Sequence, residues 1–190
     1  MNKASKHKRR LIIVSAPSGA GKSTICKVIL EKFSDLRLSV SYTTRKPRHN
    51  EVHGSDYFFV DEKTFNRMRE DGKFAESAQV HGSWYATSKE FIKGIQDEGN
   101  DVLLEIDVQG AMNLKRLYPD SITIFVAPPS LKELEARLRG RNSETEESIK
   151  KRLENAKKEL ESKDFYEYIV VNKNLEEAIK ETIDIINKRR

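Results

Sequence analysis

The stretch "LIIVSAPSGAGKST", residues 11–24, constrains the fold more than any other part of the chain. It opens with "LIIVS", a continuous apolar run of the kind found in a strand buried on both faces. A loop of Ala, Pro, Ser and Gly follows. Beyond it Ile25, Val28, Ile29 and Phe33 recur at helical spacing. Strand, loop and helix in that order are the opening of an α/β fold.

The rest of the chain repeats the rhythm, with one interruption. "VLLEID" (102–107), "SITIFVA" (121–127) and "YEYIVVN" (166–172) read as three more buried strands, and helical patterns separate or follow them. Residues 131–139 carry Leu131, Leu134 and Leu138 among charges. "SETEESIKKRLENAKKELES" opens with Ser143 and Glu146 in the relation of a capping box, and "NLEEAIKETIDIINKRR" repeats it with Asn174 and Glu177. The last helix closes on Lys188, Arg189 and Arg190, where the helix dipole favours cations. This alternation predicts a parallel sheet flanked by crossover helices.

Residues 38–87 break the pattern with short β-rich pieces around one helix at 62–70, and are expected to form an inserted lobe of mainly antiparallel strands. "LRGRNSETEES" is polar and turn-like between two helical patterns, as in a small lid. The expected organisation is a single domain: a core of about 11–37, 88–138 and 153–190, a lobe of about 38–87, a lid of about 139–152 and a basic arm at 1–10.

Composition narrows the class. Net charge is +5, from 35 Lys+Arg against 30 Asp+Glu, and the basic side chains of residues 1–10 account for the whole excess. An arm of this kind on a neutral body reads as a solvated leader, so no nucleic-acid partner is expected. No apolar run approaches the ~20 residues of a membrane span, and "LIIV" is shorter than the roughly 7–15 residues of a secretory core. The single Cys26 excludes an intramolecular disulfide, and the four histidines show no metal-ligand spacing. A cytoplasmic protein without a membrane partner is expected. Oligomeric state stays open, a homo-oligomer included.

The loop itself, Ala16, Pro17, Ser18, Gly19, Ala20, Gly21, Lys22, Ser23 and Thr24, has the chemistry of a phosphate cradle. Gly19 and Gly21 let backbone N–H groups turn onto phosphate oxygens, Lys22 reaches the outer phosphates, and the Ser23 hydroxyl suits Mg²⁺. The generic pattern has glycine where Ala16 stands, which alanine tolerates if its φ is negative. "LLEIDVQG" supplies a second element: Asp107 at a strand tip, with Glu105 two residues earlier, can orient Mg²⁺ through water or contact a substrate. Asp107 can also serve as a helix N-cap, and the two roles can coexist. A nucleoside triphosphate ligand follows, but switches, motors and kinases share this loop.

"TTRKPRHNEVHGSDYFFV" (43–60) discriminates among them. Arg45, Arg48 and Tyr57, with Tyr85 from "SWYATS", make a second anionic pocket of the kind a kinase needs opposite the γ-phosphate. A solvated basic loop is the bland alternative. The stretch reads T-T-R-x-x-R-x-x-E-x-x-G-x-x-Y-x-F-V, and at this point the sequence resembles the guanylate kinase family. The likeness runs through "SAPSGAGKST", "FAESAQVHGSWYATS", "LLEIDVQGA", "FVAPPS" and "RLRGRNSETEESIKKRL", over essentially all of residues 11–188.

The resemblance implies Mg²⁺- and ATP-dependent phosphorylation of GMP, and of dGMP, by in-line transfer. It implies that Arg45, Arg48, Tyr57 and Tyr85 hold the GMP phosphate and that Ser41, Glu76, Thr87 and Asp107 read guanine. Arg137, Arg141 and Arg152 would be the basic residues of the lid and its flanks. Lys22, Arg45, Arg141 and Arg152 would act on the transferring group. Glu105 stands where some relatives have aspartate. The chemistry agrees with this reading: a carboxylate can accept from guanine N1–H and its 2-amino group, and adenine offers neither. Scaffold proteins with a related domain have a degraded phosphate loop, whereas Lys22, Ser23 and Asp107 are intact here.

Overall fold

The computed structural model describes residues 9–80, 82–140 and 145–190. In chain order the strands are β1 (Leu11–Ser15), β2 (Leu36–Leu38), β3 (Tyr42–Thr43), β4 (Phe58–Phe59), β5 (Phe74–Val80), β6 (Ser83–Ser88), β7 (Asp101–Glu105), β8 (Ile122–Ala127) and β9 (Tyr168–Val171). The helices are α1 (Lys22–Lys32), α2 (Glu62–Glu70), α3 (Lys89–Asp97), α4 (Val108–Leu117), α5 (Leu131–Arg139), α6 (Glu146–Glu161) and α7 (Leu175–Arg189).

Five strands form one parallel sheet in the order β2-β7-β1-β8-β9. Alternate residues of β1 supply its two faces. Ile12 and Val14 pack with Ile25 and Ile29 of α1 and with Ala178 and Ile186 of α7. Leu11 and Ile13 pack on the other side with Ile92 of α3, Ala111 and Leu114 of α4, and Phe125. Burial on both faces is what a continuous apolar strand requires, and it fixes "LIIVS" at the centre of the sheet.

The other four strands form a separate mixed sheet in the order β4-β3-β6-β5. Pairing is antiparallel except between β3 and β4. This sheet has its own small core of Phe65, Phe74 and Ala86, with Tyr42 and Trp84 packed against it.

The sheets depart from the sequence reading in two places. Leu36–Leu38 adds a fifth strand to the parallel sheet, so "LSVSYTT" is divided between the two sheets. The strand expected to run to Asp107 stops at Glu105, because Asp107 caps α4. One Asp107 carboxylate oxygen accepts from the N–H groups of Gln109 (2.7 Å) and Gly110 (3.2 Å), donors that the first helical turn would otherwise leave unpaired. Thr145 caps α6, accepting from Ser148 N–H. Ser143 and Arg141, with His81 and most of the N-terminal arm, lie outside the described residues. Among the described residues no helix is long and apolar enough to cross a membrane.

The C-terminus is clasped to the sheet edge. Arg190 donates from Nε to Asp101 (2.7 Å) and pairs through Nη2 with Asp35 (2.6 Å), while Arg10 N–H donates to the second oxygen of Asp101 (2.9 Å). Asp101 is 0% exposed. Removing one partner of a buried ion pair strands the other charge. Arg190→Ala should therefore lower the unfolding free energy by about 3 kcal/mol in a urea titration, with the KM values for both substrates unchanged.

Candidate active site

The phosphate loop leaves β1 and enters α1 with two residues in the left-handed region, Gly19 (φ 96°) and Gly21 (φ 98°). At Gly21 an added Cβ would sit 2.4 Å from the Asn172 amide nitrogen, so space as well as φ demands glycine. That amide donates to Ala20 C=O (2.7 Å), and Arg137 donates to the Asn172 carbonyl (2.8 Å). The end of β9 thus supports the loop from below. Lys22 Nζ lies 3.4 Å from Ile106 C=O and 3.6 Å from Glu105, and the Ser23 hydroxyl bonds the same Glu105 carboxylate. Arg152 of α6 donates to Ser18 Oγ (3.2 Å). Cys26, one turn into α1, is buried; desolvation pushes its thiol far above the ordinary range, which makes it a poor nucleophile.

Facing the loop across a cleft of about 310 Å³ are Ser41, Arg48, Tyr57, Glu76 and Tyr85. The two arginines of the signature differ. Arg45 is committed: Nε donates to Tyr85 Oη (3.2 Å), and its two Nη groups bracket Glu51 at 2.9 and 2.8 Å, with a further bond to Lys46 C=O. These bonds to Glu51, above all, raise the Arg45 pKa further. Its guanidinium also lies over the Tyr57 and Phe59 rings, 5.5 and 5.8 Å from their centroids. Arg48, by contrast, is 71% exposed at its side chain and reaches the cleft. Burial pushes the Tyr57 hydroxyl up to about 12, with nearby Glu105 contributing, so it is a neutral donor at physiological pH.

Glu76, on β5, is 8% exposed. Its Oε1 accepts from Thr87 Oγ1 (2.8 Å), and its Oε2 is buried with no hydrogen-bond partner among the described residues. Burial pushes its pKa up to about 7; the Thr87 bond opposes this and the Asp107 charge adds to it. A half-satisfied buried carboxyl is costly in isolation and marks a place where a ligand can donate. Glu159 of α6 also lines the cleft, and desolvation pushes it up to about 7 as well.

Most of the residues picked from the sequence therefore border one cleft: the phosphate loop, Ser41, Arg48, Tyr57, Glu76, Tyr85, Glu105, Asp107 and Arg152. Thr87 stands fully buried behind Glu76, Arg45 stands behind Tyr85 and Tyr57, and Arg137 braces Asn172. The sequence reading missed the clasping role of Glu51, the support from Asn172 and the cleft position of Glu159. Glu51 had a signal, its place six residues after Arg45 in the signature; Asn172 had only its place at the end of an apolar run. Oxygen donors from Ser23, Glu105 and Asp107 are the set present for a hard divalent cation.

Comparison with known proteins agrees with this geometry. The guanylate kinase family profile matches residues 8–189. A guanylate kinase from Caldanaerobacter subterraneus subsp. tengcongensis is 48% identical over 93% of this chain and 85% of its own. One from Aromatoleum aromaticum is 45% identical over 95% and 88%. The crystal structure of guanylate kinase from Anaplasma phagocytophilum superposes with a TM-score of 0.80 at 31% identity, covering 95% of this chain and 85% of that one. A shikimate kinase from Bacteroides thetaiotaomicron, 14% identical with a TM-score of 0.51, shares the fold. A phosphate loop facing a half-satisfied buried acid, in a chain matched over nearly its whole length, places the protein in the guanylate kinase family, enzymes that phosphorylate GMP to GDP.

Proposed function

We propose that the protein transfers the γ-phosphoryl group of ATP to the phosphate of GMP, and of dGMP, with the residues of this cleft in the following roles. The observation that carries the reading is Glu76: a buried carboxyl in the same cleft as Lys22, one oxygen held by Thr87 and the other without a partner. In the ionised form it can accept from guanine N1–H and the 2-amino group, with Ser41 donating to O6. Adenine would leave it unpaired.

The backbone of Ser18–Lys22 would cradle the ATP phosphates, and Lys22 would neutralise charge on the transferring group. Arg152, already on Ser18 Oγ, would carry a second positive charge to the same place, and Arg141 a third. Arg48 and the Tyr57 and Tyr85 hydroxyls would hold the GMP phosphate. Arg45 would contribute through its remaining Nη2–H and by fixing Tyr85. Ser23, Glu105 and Asp107 fit Mg²⁺, directly or through water, and the ion when bound would neutralise phosphate charge. No general base is required, because the attacking oxygen already belongs to an anionic phosphate. Catalysis then rests on alignment and on donors placed where charge builds.

The decisive assay couples ADP release to a colour change with ATP against GMP, AMP, CMP and UMP. GMP should be turned over far faster than the others, and equal turnover of AMP would overturn the reading. The exposed Arg48 gives a second test. Arg48→Ala should raise the KM for GMP by roughly tenfold or more, as losing a charged hydrogen bond of about 1.5–3 kcal/mol implies, and leave the KM for ATP nearly unchanged. A rise in the ATP KM alone would assign Arg48 to the other nucleotide.

A further inference from the structure

Gly110 is the third residue of α4, the helix that packs against β5. Its backbone is ordinary right-handed helix, absent from the residues of positive φ, so no conformational need explains glycine there. Glycine in that position makes the helix less stable than alanine would. The reason lies in the space beside it. A Cβ on Gly110 would lie 2.9 Å from Glu76 Oε2, 3.2 Å from its carboxyl carbon and 3.4 Å from Oε1. No other group comes as near to that position.

The other side of the carboxyl is also fixed. Thr87 holds Oε1 at 2.8 Å. The β5–β6 register slips between Phe74 and Glu76: Phe74 pairs with Ser88 and Glu76 with Thr87, so Ala75 is the extra residue of a bulge. A bulge of this kind re-aims the side chain that follows it. Phe74 accordingly packs into the core of the small sheet, while Ala75 packs against the core of the parallel sheet. Glu76 is turned toward α4, and its free oxygen comes to rest in the gap that Gly110 leaves.

We infer that Gly110 is a specificity-determining positioning residue: its missing side chain is the space that lets Glu76 hold both carboxylate oxygens toward a guanine, and a methyl group there would rotate one of them away. The inference rests on the base-reading role proposed for Glu76. It goes beyond that role by locating the element that sets the carboxylate's angle. The obstructed atom is the far end of a flexible side chain, so the fold can absorb a methyl group by moving the carboxylate. The base it reads is then contacted by one acceptor instead of two. The 2-amino group is the donor that distinguishes GMP from IMP, so the ratio of their kcat/KM values reports the second acceptor directly.

The experiment is a cycle of wild type, Gly110→Ala, Glu76→Asp and the double variant, with GMP and IMP as acceptors, the ATP KM as control, and thermal melts. In Gly110→Ala the GMP/IMP ratio should fall about tenfold, the scale of one hydrogen bond, with the ATP KM unchanged. In the Glu76→Asp background the shorter acid stands back from the new methyl group, and adding Gly110→Ala should cost almost nothing. Equal losses in both backgrounds, or an unchanged ratio in Gly110→Ala, would overturn the inference. If Gly110→Ala fails to fold but the double variant folds, the space belongs to Glu76 as argued. If neither folds, Gly110 is a packing residue and the inference is wrong. Glu76→Gln separates the two levels: a lowered GMP/IMP ratio in Glu76→Gln beside an unchanged one in Gly110→Ala removes only the role of Gly110. No change in either removes the base reader.

Discussion

Lys22→Met should lower kcat by ~10²–10³-fold, the range for losing one preorganised donor at a site of developing charge, while GMP binding stays nearly intact. Lys22 is the first residue of α1, directly after Gly21. Its ammonium is already fixed between Ile106 C=O and Glu105 before any nucleotide arrives. Little reorganisation is then needed when charge builds on the transferring group. Methionine keeps much of the length and the apolar stem but no charge, so the loss falls on the transition state and appears in kcat. The proposed GMP side of the cleft is Arg48, Tyr57, Tyr85 and Glu76, whereas Lys22 bonds Ile106 C=O and pairs with Glu105. GMP affinity measured by calorimetry should therefore be close to that of the wild type. Retention of more than about a tenth of kcat, against the loss expected for such a donor, would remove Lys22 from the chemistry.

Glu76→Gln should cut the GMP/AMP ratio of kcat/KM by ~10²-fold or more, because a buried acceptor becomes a donor facing a donor. The amide also fits N1 of adenine, so the ratio narrows from both sides. The same substitution has a signature in pH. Burial raises the Glu76 carboxyl from 4.5 to about 7, so the folded protein binds this proton more tightly than the unfolded chain does. Its contribution to stability is complete below about pH 4.5 and is lost as pH rises through 7. Glutamine titrates nowhere. Above pH 7 the variant without ligand should be the more stable protein, by up to about 3 kcal/mol, and the difference should vanish in acid. The proposed contact with GMP needs the ionised form, so as pH falls below 7 the wild-type KM for GMP should climb more steeply than that of the variant. An unchanged GMP/AMP ratio in a folded variant would show that Glu76 does not read the base.

The loop between β1 and α1 was legible because an apolar run precedes it, helical spacing follows it, and its glycines supply the positive φ that the turn needs. The cluster of Arg45, Arg48 and Tyr57 was legible as a set of neighbours from residue type and spacing. The division of labour within it was not. Which arginine is exposed depends on Glu51, and a lone acid in a charged loop looks like any solvated side chain until its bidentate contact with Arg45 is seen. Asp107 could be read as strand tip, as helix cap or as both, since both occur at the same place in a βα turn; it caps α4 and also borders the cleft. Gly110 was invisible for a different reason. A glycine inside a helical pattern reads only as a local cost, and its meaning lies in a side chain on another sheet. Leu36–Leu38 is too short a strand to show any period.

The support of the phosphate loop by Asn172 bears on the order in which the protein becomes competent during synthesis. Ala20 and Asn172 are 152 residues apart. The amide that braces the turn between β1 and α1 is therefore made 152 residues after that turn. Closing so long a span is entropically slow compared with local helix formation. Until β9 docks beside β8, the turn at Gly21 lacks its Asn172 brace. The phosphate loop is thus braced only after β9 has been made and docked. Once β9 is in place, a nucleotide bound at the braced loop would draw the equilibrium toward the folded state.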